Sequence, residues 1–430
     1  ALSIATMFTV LADIGLGAVM TREIVKDPDN KHQYLSNSLI IKVILIILTS
    51  ITIVFITPLF SNLSLSTGLL VFISLLVMAD NLRIYTSSLN RALEKMHLEA
   101  ITNIITQFFI MTLGLWFLMH KPTAENLAIS YFIGSLIGLI FSLWTVRHHI
   151  KDFFGKLNKV LIKKLLKASW PIALLGLLGS VMLNTDIIML GWLRNAEDVG
   201  YYSSAQKIIF TLYVLPALIA SAAFPSLARL ANKNKEEFGA FLEKSIKISL
   251  LIAIPIAIGG LIIGPELVET FFGKEYMAAS WVLKILLLSL VVNYPTTILG
   301  NGLFAYNKEK EFMKYSSVGA IANVVFNFML IPIWGINGAA IATVFTQFIS
   351  SSLMWIKMKK INNFSVINKT FKIFFSSFVM GISTLTMHYF NIHFSIIILV
   401  SIIIYFATLY LIKESIIFEL KDFLYARSSN

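Results

Sequence analysis

The sequence predicts an all-α polytopic membrane protein, built as two parallel-repeat helical lobes around a central cavity. Three observations predict it. Of the 430 residues, 57% are hydrophobic and only 13% charged, whereas a soluble domain carries about a quarter of its residues as charges. The apolar residues fall in long runs separated by short basic loops. Landmarks in the first half recur in the second at a nearly constant offset.

A bilayer core needs about 20 apolar residues per helix. Runs near 1–20, 38–58, 67–90, 98–119 and 125–146 supply five in the first half. Runs near 169–193, 200–224, 246–264, 277–304, 315–333 and 337–356 supply six more, and 370–388 and 394–412 a final pair. Thirteen helices are therefore expected. The chain opens at Ala1 already inside a run, without the charged start and small-residue cleavage site of a signal peptide. Residues 1–20 thus read as a transmembrane helix, with an earlier first helix expected to be missing. Pro216, Pro225, Pro255 and Pro295 are expected to kink or end helices locally.

Orientation follows from the lysines and arginines. Alternate connections hold 29 of the 35, and the intervening ones hold only Lys121, Arg194 and Lys274. Basic loops stay cytoplasmic, which places the C-terminus in the cytoplasm. The net charge of +12 then reflects topology and attraction to membrane lipids. Nucleic-acid binding is the weaker account, because the basic residues are spread over seven places.

The repeat is carried by three pairs: Arg22 in VMTREI and Arg229 in PSLARL, Ala92 and Ala305, and Trp144 and Trp355. Matched landmarks face one side, so the repeats are parallel, and such transporters hold substrate at the repeat interface. The expected organisation is an N-terminal lobe of five helices (1–147, truncated), a basic cytoplasmic linker (148–168), a C-terminal lobe of six helices (169–357) and an appended pair (370–412).

Charges inside a bilayer are costly and mark functional positions. Asp186, Lys207 and Lys284 each lie seven residues from the outer end of their run, at one expected depth of about 10 Å. Asp80 and Arg83 are spaced i,i+3 on one face, and Asp13, Arg22 and Lys42 mark the cytoplasmic mouth of the first half. Two readings stand side by side: Asp186–Lys207 and Asp80–Arg83 as ion pairs holding helices together, or as parts of a polar, water-filled passage. Arg22 and Lys42 are open to a third, snorkelling to headgroups. Lys284, with no obvious acidic partner at its depth, is the leading anion-binding candidate. The spacings Gly134–Gly138 and Gly260–Gly264 fit close helix packing.

The chain carries no phosphate loop of the G-x-x-x-x-G-K-[ST] kind. His148 and His149 are adjacent and face apart, so neither a metal site nor a cofactor is expected. The connections are too short for a catalytic domain, which argues against an enzyme.

FTVLADIGLGAVMTREI, the D-x-x-M-L-G turn at Asp186 and the V-G-x-Y-x-x-A start at Val199, Gly200, Tyr202 and Ala205 together resemble a known family. They resemble Wzx-type O-antigen flippases, in the polysaccharide-transport branch of the multidrug/oligosaccharidyl-lipid/polysaccharide exporter superfamily. PALIASAAFPSLARL and LGNGLFAYNKEKEF continue the pattern, and the resemblance covers residues 1 to about 360. It implies alternating access that carries an undecaprenyl-diphosphate-linked oligosaccharide to the outer leaflet, coupled to a proton or sodium gradient. It assigns the cationic cavity to Arg22, Lys42, Arg83, Lys207 and Lys284, and ion coupling or ion pairing to Asp186 and Asp80. Polysaccharide polymerase and chain-length machinery are the expected partners. The rivals are a multidrug/cation antiporter, a lipid II flippase, and a membrane polymerase or glycosyltransferase.

Overall fold

The computed structural model describes residue 9 and residues 12–55, 67–231, 233–366 and 370–416. The described residues form helices and no strands. The chain divides into two units, Ala1–Trp192 and Leu193–Asn430.

Unit 1 contains α1 (Leu16–Lys26), α2 (Lys31–Phe55), α3 (Thr67–Ala92), α4 (Met96–His120), α5 (Ala124–Thr145) and nearly all of α6 (Lys159–Leu193). Half of the run expected at 1–20 lies outside the described residues, and α1 covers its end. Helix α3 is central, packing against α1, α2, α4 and α5. Gly134 and Gly138 on α5 lie against Ile110 and Thr106 of α4, so the small-residue spacing does mark close packing. A core around Leu16, Met20, Leu35, Tyr85 and Leu165 joins α1, α2, α3 and α6.

Unit 2 contains α7 (Ala196–Leu212), α8 (Val214–Leu230), α9 (Lys235–Phe272), α10 (Ala279–Ala305), α11 (Glu309–Ile361), α12 (Phe371–Tyr389) and α13 (Phe394–Leu411). Helix α10 is central here, packing against α7, α8, α9 and α11. The two hub helices end on Ala92 and Ala305, one of the pairs that marked the repeat. They also bury Tyr85 and Tyr294 completely.

At 53 residues, a straight α11 would span about 80 Å, far beyond one bilayer crossing. It is instead a hairpin. Gly335 leaves the helical region at φ 57° and ψ −134°, a conformation glycine adopts without a Cβ penalty. The arms then run antiparallel: Lys357 pairs with Glu311 at 2.7 Å, and Ser350 Oγ donates to the Tyr315 carbonyl at 3.3 Å. The two runs expected at 315–333 and 337–356 are these arms. Nine helices among the described residues are long and apolar enough to cross a membrane, α7 with α8 and the whole of α11 each counting once.

Prolines explain the breaks and the polar contacts that mend them. A proline frees the carbonyl four residues earlier, and in lipid that carbonyl must find another donor. Pro216 frees Leu212, where α7 ends, and Tyr294 Oη donates to that carbonyl at 2.8 Å. Pro255 frees Leu251 inside α9, and Tyr405 Oη from α13 donates to it at 2.7 Å. Arg194 Nη2 donates to the Ile331 carbonyl at 2.9 Å, next to the α11 turn.

Tyr405→Phe should therefore cost about 1–3 kcal/mol, the penalty of an unpaired buried carbonyl. In a Pro255→Ala background, where Leu251 regains its helical partner, the same change should cost much less. Thermal unfolding of the four proteins in detergent measures both costs, and equal losses in the two backgrounds would contradict the assignment.

Candidate functional site

The charged cluster of unit 1 starts with Lys42 in the middle of α2. Its side chain is fully buried, a position an ammonium tolerates only with partners. Nζ donates to Asp13 Oδ1 at 2.7 Å and to Asn81 Oδ1 at 2.9 Å. Asn81 is itself fixed by donating to the Val77 carbonyl at 2.9 Å. Asp13 precedes a bend at Ile14 and Gly15, both at positive φ. A Cβ on Gly15 would collide with Ile172 of α6, so both its backbone angle and the close approach of α6 require glycine.

Arg83 lies next along α3. Nε and Nη2 donate to Asp80 Oδ1 at 3.0 and 2.7 Å, and Nη1 donates to Asn103 Oδ1 of α4 at 2.5 Å. The expected i,i+3 pair is thus real and reaches a second helix. Gly138 makes room for it, since a Cβ there would come within 2.8 Å of Arg83 Cδ. Asp80 is also close enough to attract Lys42, so the two pairs form one cluster.

Exposure within the cluster is uneven. The Lys42 and Arg83 side chains are 0% and 10% exposed, while Asp13 and Asp80 are 30% and 28% exposed. The carboxylates therefore cover the cations.

Arg22 takes a separate partner. Half exposed, its Nη2 lies 3.1 Å from Glu23 Oε1, and the other Glu23 oxygen takes Lys164 of α6 at 3.0 Å. The Lys164 hydrogen bond holds the Glu23 carboxyl below the usual carboxylate range.

In unit 2, Lys284 of α10 is half-buried, its ammonium 5.1 Å from the centre of the Trp281 ring, within cation–π range. Lys207 of α7 is exposed. Neither makes an ion pair within unit 2 among the described residues. Asp186 of α6 is buried in unit 1. Lys207 and Lys284 sit at different distances from the starts of their helices. Asn195 caps α7, its Oδ1 accepting from Asp198 N at 2.8 Å, so the helix starts at Ala196 and Lys207 lies well inside it. Lys284 stays near the start of α10. A neutral network lies nearby: Gln347 Nε2 donates to Tyr213 Oη at 3.1 Å, and Tyr213 Oη lies 2.9 Å from Ser289 Oγ.

Sequence reasoning missed Asn81, Asn103, Glu23 and Trp281. The last was visible as an aromatic three residues before a helical lysine. The others are partners across helices, which spacing alone does not reveal.

The long apolar helices define a multi-pass membrane protein. The fold is similar to that of the lipid II flippase MurJ in its inward closed conformation, with a TM-score of 0.78 at 18% identity over 96% of this chain and 93% of that one. Residues 1–231 match the polysaccharide biosynthesis protein family, and the chain belongs to it. Residues 171–329 also match the MatE family. A protein named as a probable low-salt glycan biosynthesis flippase of Haloferax volcanii is 26% identical, covering 80% of this chain and 71% of its own length. The capsular polysaccharide biosynthesis protein CapF of Staphylococcus aureus is 24% identical, covering 76% of this chain and 82% of its own length.

Two outcomes test the cluster. Asp13→Ala leaves an uncompensated buried ammonium and should cost about 3 kcal/mol, and much less when Lys42 is already Met; chemical unfolding of both pairs measures the difference. The Glu23 contribution should be present above the ordinary carboxylate range and lost as pH falls through its lowered value. Glu23→Gln should remove that part of the pH dependence of the melting temperature.

Proposed function

We propose that this protein is a flippase that moves an undecaprenyl-diphosphate-linked oligosaccharide, an O-antigen repeat unit, from the cytoplasmic to the periplasmic leaflet. Family membership and the names of its relatives support a lipid-linked glycan as substrate and argue against an enzyme. The lysine and arginine distribution supports a bacterial inner membrane location with the C-terminus in the cytoplasm. Polysaccharide polymerase and chain-length machinery are the partners such a substrate would need.

The observation that carries the mechanism is the covered cluster of unit 1. Lys42 and Arg83 are neutralised by Asp13 and Asp80 until another anion replaces them. A diphosphate can do so, because in a low-dielectric passage each cation–phosphate attraction far exceeds its value in water. The displaced carboxylates then need a cation, a proton or sodium, which couples substrate entry to an ion gradient. Arg22, Lys207 and Lys284 supply further positive charge along the route in the two units, and Asp186 is a second candidate for ion coupling. Alternating access completes the transfer.

One observation favours a second reading. The more accessible members of the cluster are acids, which suits a multidrug/cation antiporter, and the MatE match points the same way. Deleting the gene in its host separates the two. A flippase requires loss of the lipopolysaccharide ladder with repeat units accumulating on the cytoplasmic side. An antiporter leaves the ladder intact and sensitises the cell to drugs. Lys42→Ala, Arg83→Ala, Lys207→Ala and Lys284→Ala should each cut ladder formation about tenfold or more with the protein still inserted. Wild-type export by all four would overturn the roles given to them.

A further inference from the structure

A groove of about 490 Å³ lies in unit 1 where the segment after α5 crosses the outer face of α2. Ile40, Val43 and Ile44 of α2 line one side, and Phe153, Phe154 and Leu157 the other. The crossing is held in place by Asn37. Its Oδ1 accepts from Asn158 N at 2.8 Å, and its Nδ2 donates to the Lys156 carbonyl at 3.3 Å.

The two ends of the groove differ in chemistry. On the α2 side its wall continues into a stripe of exposed apolar residues, Ile44, Ile47, Ile51 and Phe55, at the spacing of one helical face. That stripe faces the hydrocarbon of a bilayer. On the other side the crossing segment carries Lys151 and Lys156, and the first turns of α6 carry Lys159 and Lys163. Asp152, the acid in this segment, is taken by Lys31 at 3.3 Å and approached by His149 at 3.3 Å. The four lysines make no ion pair among the described residues. Lys156 stands between two lining residues, Gly155 and Leu157.

We propose that this groove holds one acyl chain of an anionic phospholipid whose head group sits on Lys156 and Lys159. An apolar slot open to hydrocarbon and topped by unpaired ammonium groups matches the two parts of such a lipid. A neutral lipid would leave the lysines unmatched, and a soluble anion would leave the slot empty. The lipid would pin the crossing segment to α2 at the membrane surface, apart from the Lys42–Asp13 cluster.

The test uses the full chain in detergent with a phosphatidylglycerol carrying a photoreactive group at the end of one acyl chain. Labelled peptides are mapped, and affinity is read by native mass spectrometry against phosphatidylcholine. Labelling should fall within residues 36–44 and 153–157. Lys156→Gln with Lys159→Gln should weaken phosphatidylglycerol by about fivefold per lysine removed and leave phosphatidylcholine unchanged. Val43→Trp, at an exposed position that does not threaten folding, should fill the slot and abolish labelling there.

Three results would overturn the proposal: labelling at the groove that survives Val43→Trp, equal affinity for the two phospholipids, or occupation of the groove by undecaprenyl phosphate in preference to phosphatidylglycerol.

Discussion

The ammonium of Lys42 is the group whose needs organise unit 1. Buried without a counter-charge it would cost several kcal/mol, so the chain must deliver a carboxylate to the middle of α2. That carboxylate is Asp13, and delivering it requires the bend at Ile14 and Gly15. The bend requires a glycine because Ile172 of α6 packs directly on it. On the far side Asn81 completes the coordination and ties α2 to the hub helix α3. Arg83 extends the same logic one turn on, reaching α4 through Asn103 across the gap that Gly138 leaves. A single buried charge thus fixes the register of several elements.

Unit 2 meets a related constraint where its helices break. Its prolines break helices in a medium with no water to repair them. Tyr294 and Tyr405 act as the missing donors, and Arg194 donates to the Ile331 carbonyl beside the Gly335 break. Tyr405 belongs to the last helix pair, so α13 completes α9 at the carbonyl of Leu251.

Much of the architecture was legible because hydrophobicity reports the bilayer directly. Each run from 38–58 onward appears as helix, with 200–224 divided between α7 and α8, and the short gap at 333–337 marked the α11 hairpin. Ala92 and Ala305, picked out in the sequence as a matched pair, each end a hub helix. The site was legible only in part. Arg83 and Asp80 share a helix face, so spacing found the pair. Lys42 was seen, but its tie to Asn81 and its exclusion from solvent depend on how α2 meets α3. Hydropathy placed the start of the Lys207 run at 200 because it cannot see the Asn195 cap that starts α7 at Ala196. Lys164 was counted for orientation alone, although it also holds Glu23. What a sequence conceals here is which oxygen each cation chooses.

The central claim is that Asp13 and Asp80 occupy the cations a diphosphate must reach. The most direct measurement is the affinity of the purified chain for undecaprenyl diphosphate, compared between the wild type and the Asp13→Asn/Asp80→Asn double variant. Removing the competing carboxylates should tighten binding. Weaker or unchanged binding by a folded double variant would contradict the account and leave the cluster as a structural brace.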